Sequence, residues 1–115
     1  MITVMGAGAF GTALAISLTE AGHAVTLWSR DQAQVSAMQL SRENAQRLPG
    51  IPLPESLTIQ ADIPAGTGPV LLAVPMQRMR DVIDEHRTVL DGRDLVACCK
   101  GIELSTTMGP VAILR

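Results

Sequence analysis

Aromatic side chains are almost absent from this chain: they make up 2% of its 115 residues, with Phe10 and Trp28 standing alone and no tyrosine at all. Platforms that stack successive bases need several aromatic faces, so single-stranded nucleic acid is not an expected partner. Lysine and arginine form no block, and the formal net charge is −2. Neither duplex nucleic acid nor an anionic membrane surface would find an electrostatic footprint here. The only cysteines, Cys98 and Cys99, are adjacent. Sequence neighbours rarely bridge and no CxxC spacing occurs, so neither a disulfide framework nor a zinc site is indicated. The pair reads instead as two small apolar residues near the end of a buried strand. His23 and His86 lack ligand-like spacing, and no metal is expected. No apolar run reaches the ~20 residues of a membrane span. No basic segment precedes an apolar start as in a secretory signal, so the expected setting is cytoplasmic, with no integral membrane segment.

What is present is an apolar inventory of 47%, drawn from Val, Leu, Ile, Ala and Met. The length suits one domain with one core. Ile2 to Met5 is a short β-rich run that stops at Gly6. Phe10 to Ala21 reads as helix, with Leu14, Leu18 and Ala21 on its apolar face and Gly22 as its stop. Ala24 to Trp28 reads as a second strand. Asp31 can cap a helix that runs to about Leu40, with Val35 and Met38 facing inward. Asn44 to Ser56 holds three prolines and a glycine and is expected to be an ordered loop rather than helix or strand. Leu57 to Ile59 is a further strand candidate.

Val70 to Val74 is a continuous apolar run, as in a strand buried on both faces, and Pro75 ends it. A helix over Gln77 to Leu90 carries Met79, Val82, Ile83 and Leu90, and a last strand runs from Asp94 to Cys99. The tail GPVAILR reads as the opening of another apolar helix. Strands alternating with helices predict an α/β fold: a doubly wound, mostly parallel sheet with helices on both faces.

The glycines then acquire a meaning. Gly6, Gly8 and Gly11 spell G-x-G-x-x-G between a strand and a helix. Gly6 permits the tight turn, Gly8 lets the backbone approach a pyrophosphate, and Gly11 lets helix and strand pack closely. The N–H groups opening the helix would meet the phosphates. The second strand ends at about the ~20-residue distance where a ribose contact belongs. There the chain offers Ser29-Arg30-Asp31. Arg30 suits the extra phosphate of NADP(H), which is the preferred cofactor. Asp31 would favour NAD(H) if it took a ribose hydroxyl, but a helix cap is the stronger reading for it, and use of both cofactors stays open. Lys100 follows a buried strand on the ligand side of such a sheet. It can stabilise an oxyanion there, or it is a solvated loop lysine.

These residues carry a resemblance. GAGAFGTALA from Gly6, HAVTLWSRD from His23, NAQRLPGIPLPESL from Asn44, AVP from Ala73 and CKGIE from Cys99 together resemble the amino-terminal half of bacterial NAD(P)-dependent glycerol-3-phosphate dehydrogenases. The resemblance implies a Rossmann domain over residues 1–115, the front part of a longer two-domain enzyme. It implies interconversion of dihydroxyacetone phosphate and sn-glycerol 3-phosphate for phospholipid synthesis. Ala9 and Phe10 would line the cofactor's pyrophosphate and nicotinamide end, and Val74 and Pro75 would border its cleft. Lys100 would touch cofactor and substrate and act in catalysis.

Two positions depart from the pattern: Ala9 stands where serine is frequent, and Arg47 where an aromatic is common. Arg47 is either a second charge near the cofactor or a surface group. The family's principal catalytic lysine and its substrate-phosphate groups belong to a helical carboxyl-terminal domain, absent from these residues, and a homodimer is conceivable only for the full-length enzyme. The chain is therefore expected to hold a dinucleotide and to be inactive alone. A ketopantoate reductase domain and a stand-alone NADP(H)-binding module are the competing readings.

Overall fold

The computed structural model describes residues 1–64, 68–74, 76–90, 92–98 and 111–114. Its first half alternates β1 (Ile2–Met5), α1 (Ala9–Glu20), β2 (Val25–Trp28) and α2 (Gln32–Ser41). A small ribbon of β3 (Glu43–Asn44) and β4 (Leu48–Pro52) follows, then β5 (Thr58–Gln60) and β6 (Val70–Leu72). The second half adds α3 (Met76–Glu85), α4 (Arg87–Leu90), β7 (Leu95–Cys98) and β8 (Val111–Leu114). The main sheet has the order β5-β2-β1-β6-β7-β8. The first five strands pair in parallel, and β8 joins the edge antiparallel to β7.

Side chains alternate across a strand, and the two faces of this sheet consequently bury two separate cores. Val4, Val25, Leu27 and Ile59 point to one face, where they meet Ala15 and Ile16 of α1 and Val35 and Met38 of α2. Met5, Trp28, Val70, Leu72 and Leu95 point to the other, against Met79 and Val82 of α3 and Leu90 of α4. This is the doubly wound arrangement expected from continuous apolar strands. Its chain order reverses between β1 and β6: the chain leaves β1 for β2 and β5 on one side, then returns to the other.

The structure revises four expectations. On α1 the buried face is Gly11, Thr12, Ala15, Ile16 and Thr19, whereas Leu14 and Leu18 are half-buried and Ala21 is exposed. The helix is apolar on most sides, so periodicity could not select a face; close approach to the sheet did, and it favours small residues. The Thr19 hydroxyl donates to the Ala15 carbonyl at 2.8 Å, which removes the cost of burying it.

Within Asn44 to Ser56 the chain is ordered but forms a ribbon, pairing Glu43 with Pro52 and Asn44 with Leu48 across a bulge. Prolines are tolerated because a two-stranded ribbon leaves outward edges that need no N–H. The predicted single helix ending at Leu90 is divided at His86, whose ring packs edge-on against Trp28 with centroids 5.1 Å apart. Finally, Val111–Leu114 is a strand and not a helix. Its β-branched Val111 and Ile113 suit a strand, and the open edge of β7 supplies the pairing partners.

Candidate functional site

A cleft of about 500 Å³ opens at the carboxyl ends of the strands, at the place where their order reverses. Gly6, Ala7 and Gly8 form its floor; Ser29, Arg30 and Gln34 form one wall; Ala73, Val74, Arg78 and Val82 form the other; and Arg47 reaches it from the ribbon. In open α/β sheets ligands bind at such reversal points.

The three glycines serve different needs. Gly6 has a φ of +120°, and a Cβ there would lie 2.6 Å from the Ala73 carbonyl oxygen. A Cβ on Gly11 would lie 1.9 Å from the Gly6 carbonyl oxygen. Both are required by the fold itself. Gly8 is not: its φ of −79° suits any residue, and a Cβ there meets no protein atom within 4 Å. It also stands at the N-cap of α1 with no side-chain cap, and the first turn carries no acidic residue. The opening N–H groups of a helix lack intrahelical partners and favour an anion. Space over a glycine that the protein does not need, beside a helix start that no side chain caps, fits a bound pyrophosphate.

The loop is held in place by a network that sequence reasoning missed. Asn44, buried on β3, donates through Nδ2 to the Ala7 carbonyl and to Thr12 Oγ1, each at 2.8 Å. Gln34 of α2 donates to the same Ala7 carbonyl at 3.0 Å and accepts from the Ser29 hydroxyl at 2.7 Å. The Ala7 carbonyl is thereby occupied by two protein donors. Asp31 accepts from the N–H groups of Ala33 and Gln34 at 3.0 and 3.2 Å, so its carboxylate caps α2.

Among the residues singled out in the sequence, Gly6, Gly8, Arg30 and Val74 share the cleft. Gly11 lies beneath it against the Gly6 carbonyl, and Ala9 and Phe10 are exposed on the first turn of α1. Arg47, left open between cleft and surface, lines the cleft. Pro75 and Lys100 lie outside the described residues. Arg30 pairs through Nη2 with Glu85 Oε2 at 2.5 Å, the two side chains being about half exposed. The other Glu85 oxygen faces His86 Nε2 at 4.0 Å. Cys98 is buried, and that burial pushes its thiol pKa up, as for an inert core cysteine. No helix among the described residues is long and apolar enough to cross a membrane.

The family model for the NAD-dependent glycerol-3-phosphate dehydrogenase N-terminus matches residues 1–115. The chain belongs to this family. Among curated relatives, the glycerol-3-phosphate dehydrogenase (NAD(P)+) of Ruegeria sp. (strain TM1040) is 51% identical over 99% of this chain and 36% of its own length. That of Roseobacter denitrificans is 49% identical, with the same coverage. The chain thus spans about a third of the length of these relatives. A crystal structure of glycerol-3-phosphate dehydrogenase from Coxiella burnetii superposes with a TM-score of 0.79 at 35% identity, covering 87% of this chain and 32% of that one.

Proposed function

We propose that residues 1–115 are the dinucleotide-binding part of an NAD(P)-dependent glycerol-3-phosphate dehydrogenase. The enzyme would interconvert dihydroxyacetone phosphate and sn-glycerol 3-phosphate in the cytoplasm and feed phospholipid synthesis. The observation that carries this reading is Gly8, whose missing side chain answers no steric demand of the protein yet clears the path to the start of α1. Family membership and the relatives' names support the choice of substrate.

The cofactor, when bound, supplies hydride transfer. The chain's part in the chemistry is binding and orientation. The N–H groups of Ala9, Phe10 and Gly11 would take the pyrophosphate, and Arg30 would take the phosphate on the adenosine ribose of NADP(H). Gly6 and Gly11 would hold the turn in shape, and Pro75 would border the cleft. Lys100 would place its charge beside the substrate oxygen that gains negative charge during reduction. The remaining substrate contacts would come from a helical carboxyl-terminal domain.

Calorimetric titration with NADPH and NADH tests the reading, using the wild-type chain and Gly8→Val. Wild type should bind both cofactors. Gly8→Val should remain folded by circular dichroism but lose about 2–3 kcal/mol of affinity, the scale of forcing bulk into a packed site. Equal affinity in a folded Gly8→Val chain would remove the cradle from the explanation.

A further inference from the structure

Helix α3 carries Arg78, Val82 and Glu85 at the spacing i, i+4, i+7, which places them along one stripe. Arg78 and Val82 line the cleft. Glu85 continues the stripe to the rim, where it meets Arg30 across 55 residues of sequence. This ion pair is the only link described between the end of β2 and the last turn of α3 that involves a cleft-lining cation; Arg47 and Arg78 form no ion pair among the described residues. We propose that Glu85 is a specificity-determining residue. It competes with the ribose phosphate of NADP(H) for Arg30, lowers the preference for NADP(H), and so favours use of both cofactors. The proposal rests on the dinucleotide reading above.

The two cofactors ask different things of Arg30. A 2′-phosphate needs the guanidinium for charge-assisted hydrogen bonds. To reach it, the phosphate must displace the carboxylate and give up the ion pair already made. A plain 2′-hydroxyl makes no such demand, and the Arg30–Glu85 pair can persist while NAD(H) binds. The carboxylate therefore opposes one cofactor more than the other. Both side chains are about half exposed, so solvent screens the competition and the effect is a matter of severalfold rather than orders of magnitude.

The test is a double-mutant cycle read by calorimetry with NADPH and NADH on the wild-type chain, Glu85→Gln, Arg30→Ala and the double variant. Glutamine keeps the size of Glu85 and removes its charge at a half-exposed site. Glu85→Gln should raise the ratio of NADPH to NADH affinity by about three- to fivefold, the scale of an exposed ion pair. A gain in affinity for one ligand is not something misfolding produces. In the Arg30→Ala background the same substitution should leave the ratio where it was, because there is no longer a guanidinium to contest. An unchanged or lowered ratio in Glu85→Gln would overturn the proposal. So would a gain that persists without Arg30, since that would show general repulsion in place of competition. A folded wild-type chain that binds neither cofactor would instead overturn the dinucleotide reading, and the proposal with it.

Discussion

Arg93 and Arg30 stand at opposite ends of one sheet, and the sheet uses them in opposite ways. Arg93 lies just before β7, at the amino end. It is buried, donating through Nε to the Gly68 carbonyl and through Nη1 to the Pro64 carbonyl, each at 2.9 Å, with Nη2 on Thr3 Oγ1 at 3.4 Å. Arg30 lies just after β2, at the carboxyl end, half-exposed and held by one carboxylate. The first guanidinium is committed to the protein's own backbone; the second keeps a partner that a ligand phosphate can replace. The glycines repeat the contrast. A Cβ on Gly68 would lie 1.8 Å from the Met1 carbonyl oxygen, whereas one on Gly8 meets nothing. The amino end is built for stability, and the carboxyl end keeps groups that the fold does not need.

Substitution should cost most at the amino end. Burial depresses the Arg93 pKa, yet an arginine has enough margin to remain a cation at neutral pH. Its hydrogen bonds tie the segment before β6 to the start of β1. Arg93→Met keeps the apolar stem but takes the donors away from two part-buried carbonyls. Urea unfolding should show a loss of about 3 kcal/mol, the upper scale for hydrogen bonds made by a charged donor, while the folded fraction binds dinucleotide as wild type does. A loss below about 1 kcal/mol would mean that water replaces the guanidinium easily, and the amino end would no longer differ in kind from the cleft.

Asn44 serves the carboxyl end from outside the glycine loop and α1, with a fully buried polar side chain. It is 1% exposed, and it joins the ribbon to the glycine loop through Ala7 and Thr12. Asn44→Ala should cost about 2 kcal/mol of stability, since the Ala7 carbonyl keeps only Gln34 and the Thr12 hydroxyl loses its partner. Unlike Arg93→Met, it should also weaken dinucleotide binding by the folded protein, because the glycine loop is positioned through the Asn44 side chain. Calorimetry on a variant shown to be folded separates the two effects. An affinity equal to wild type would reduce Asn44 to a structural residue.

The order of legibility follows from how each feature is encoded. β1, the glycine loop, β2 and the Asp31 cap lie within thirty-odd consecutive residues, and local spacing is enough to find them. The inward positions of α2, Val35 and Met38, were legible because that helix is mostly polar and offers few large apolar side chains to bury; α1 is apolar on most sides, and Leu14 and Leu18 misled. The ribbon at Glu43 to Pro52 was hidden because its prolines signal loop more strongly than its short pairing signals strand. Asn44 opens the NAQRLPG stretch, but neither its role nor that of Glu85 had a local signal. Their partners lie 37 and 55 residues away, and only the parallel crossovers bring them to the cleft. Val111 to Leu114 reads as helix from its apolar run alone, and pairing with the edge of β7 makes it a strand instead.

Substitution of Arg30 itself should matter least. Its guanidinium is half exposed and already engaged by Glu85, so a phosphate gains only the difference between the two partners, and solvent screens that difference further. Arg30→Ala should therefore cost NADPH about 1 kcal/mol more than it costs NADH, the upper part of the range for an exposed charged pair. That extra loss should shrink as salt is raised and the Debye length contracts toward the size of the contact. Titrations of both cofactors at low and high ionic strength would read this directly. A loss shared equally by the two cofactors would place Arg30 against the adenine or its ribose ring and not against the phosphate. A loss of several kcal/mol confined to NADPH would mean that the bound cofactor buries Arg30, and the two arginines would then resemble each other once the cleft is filled.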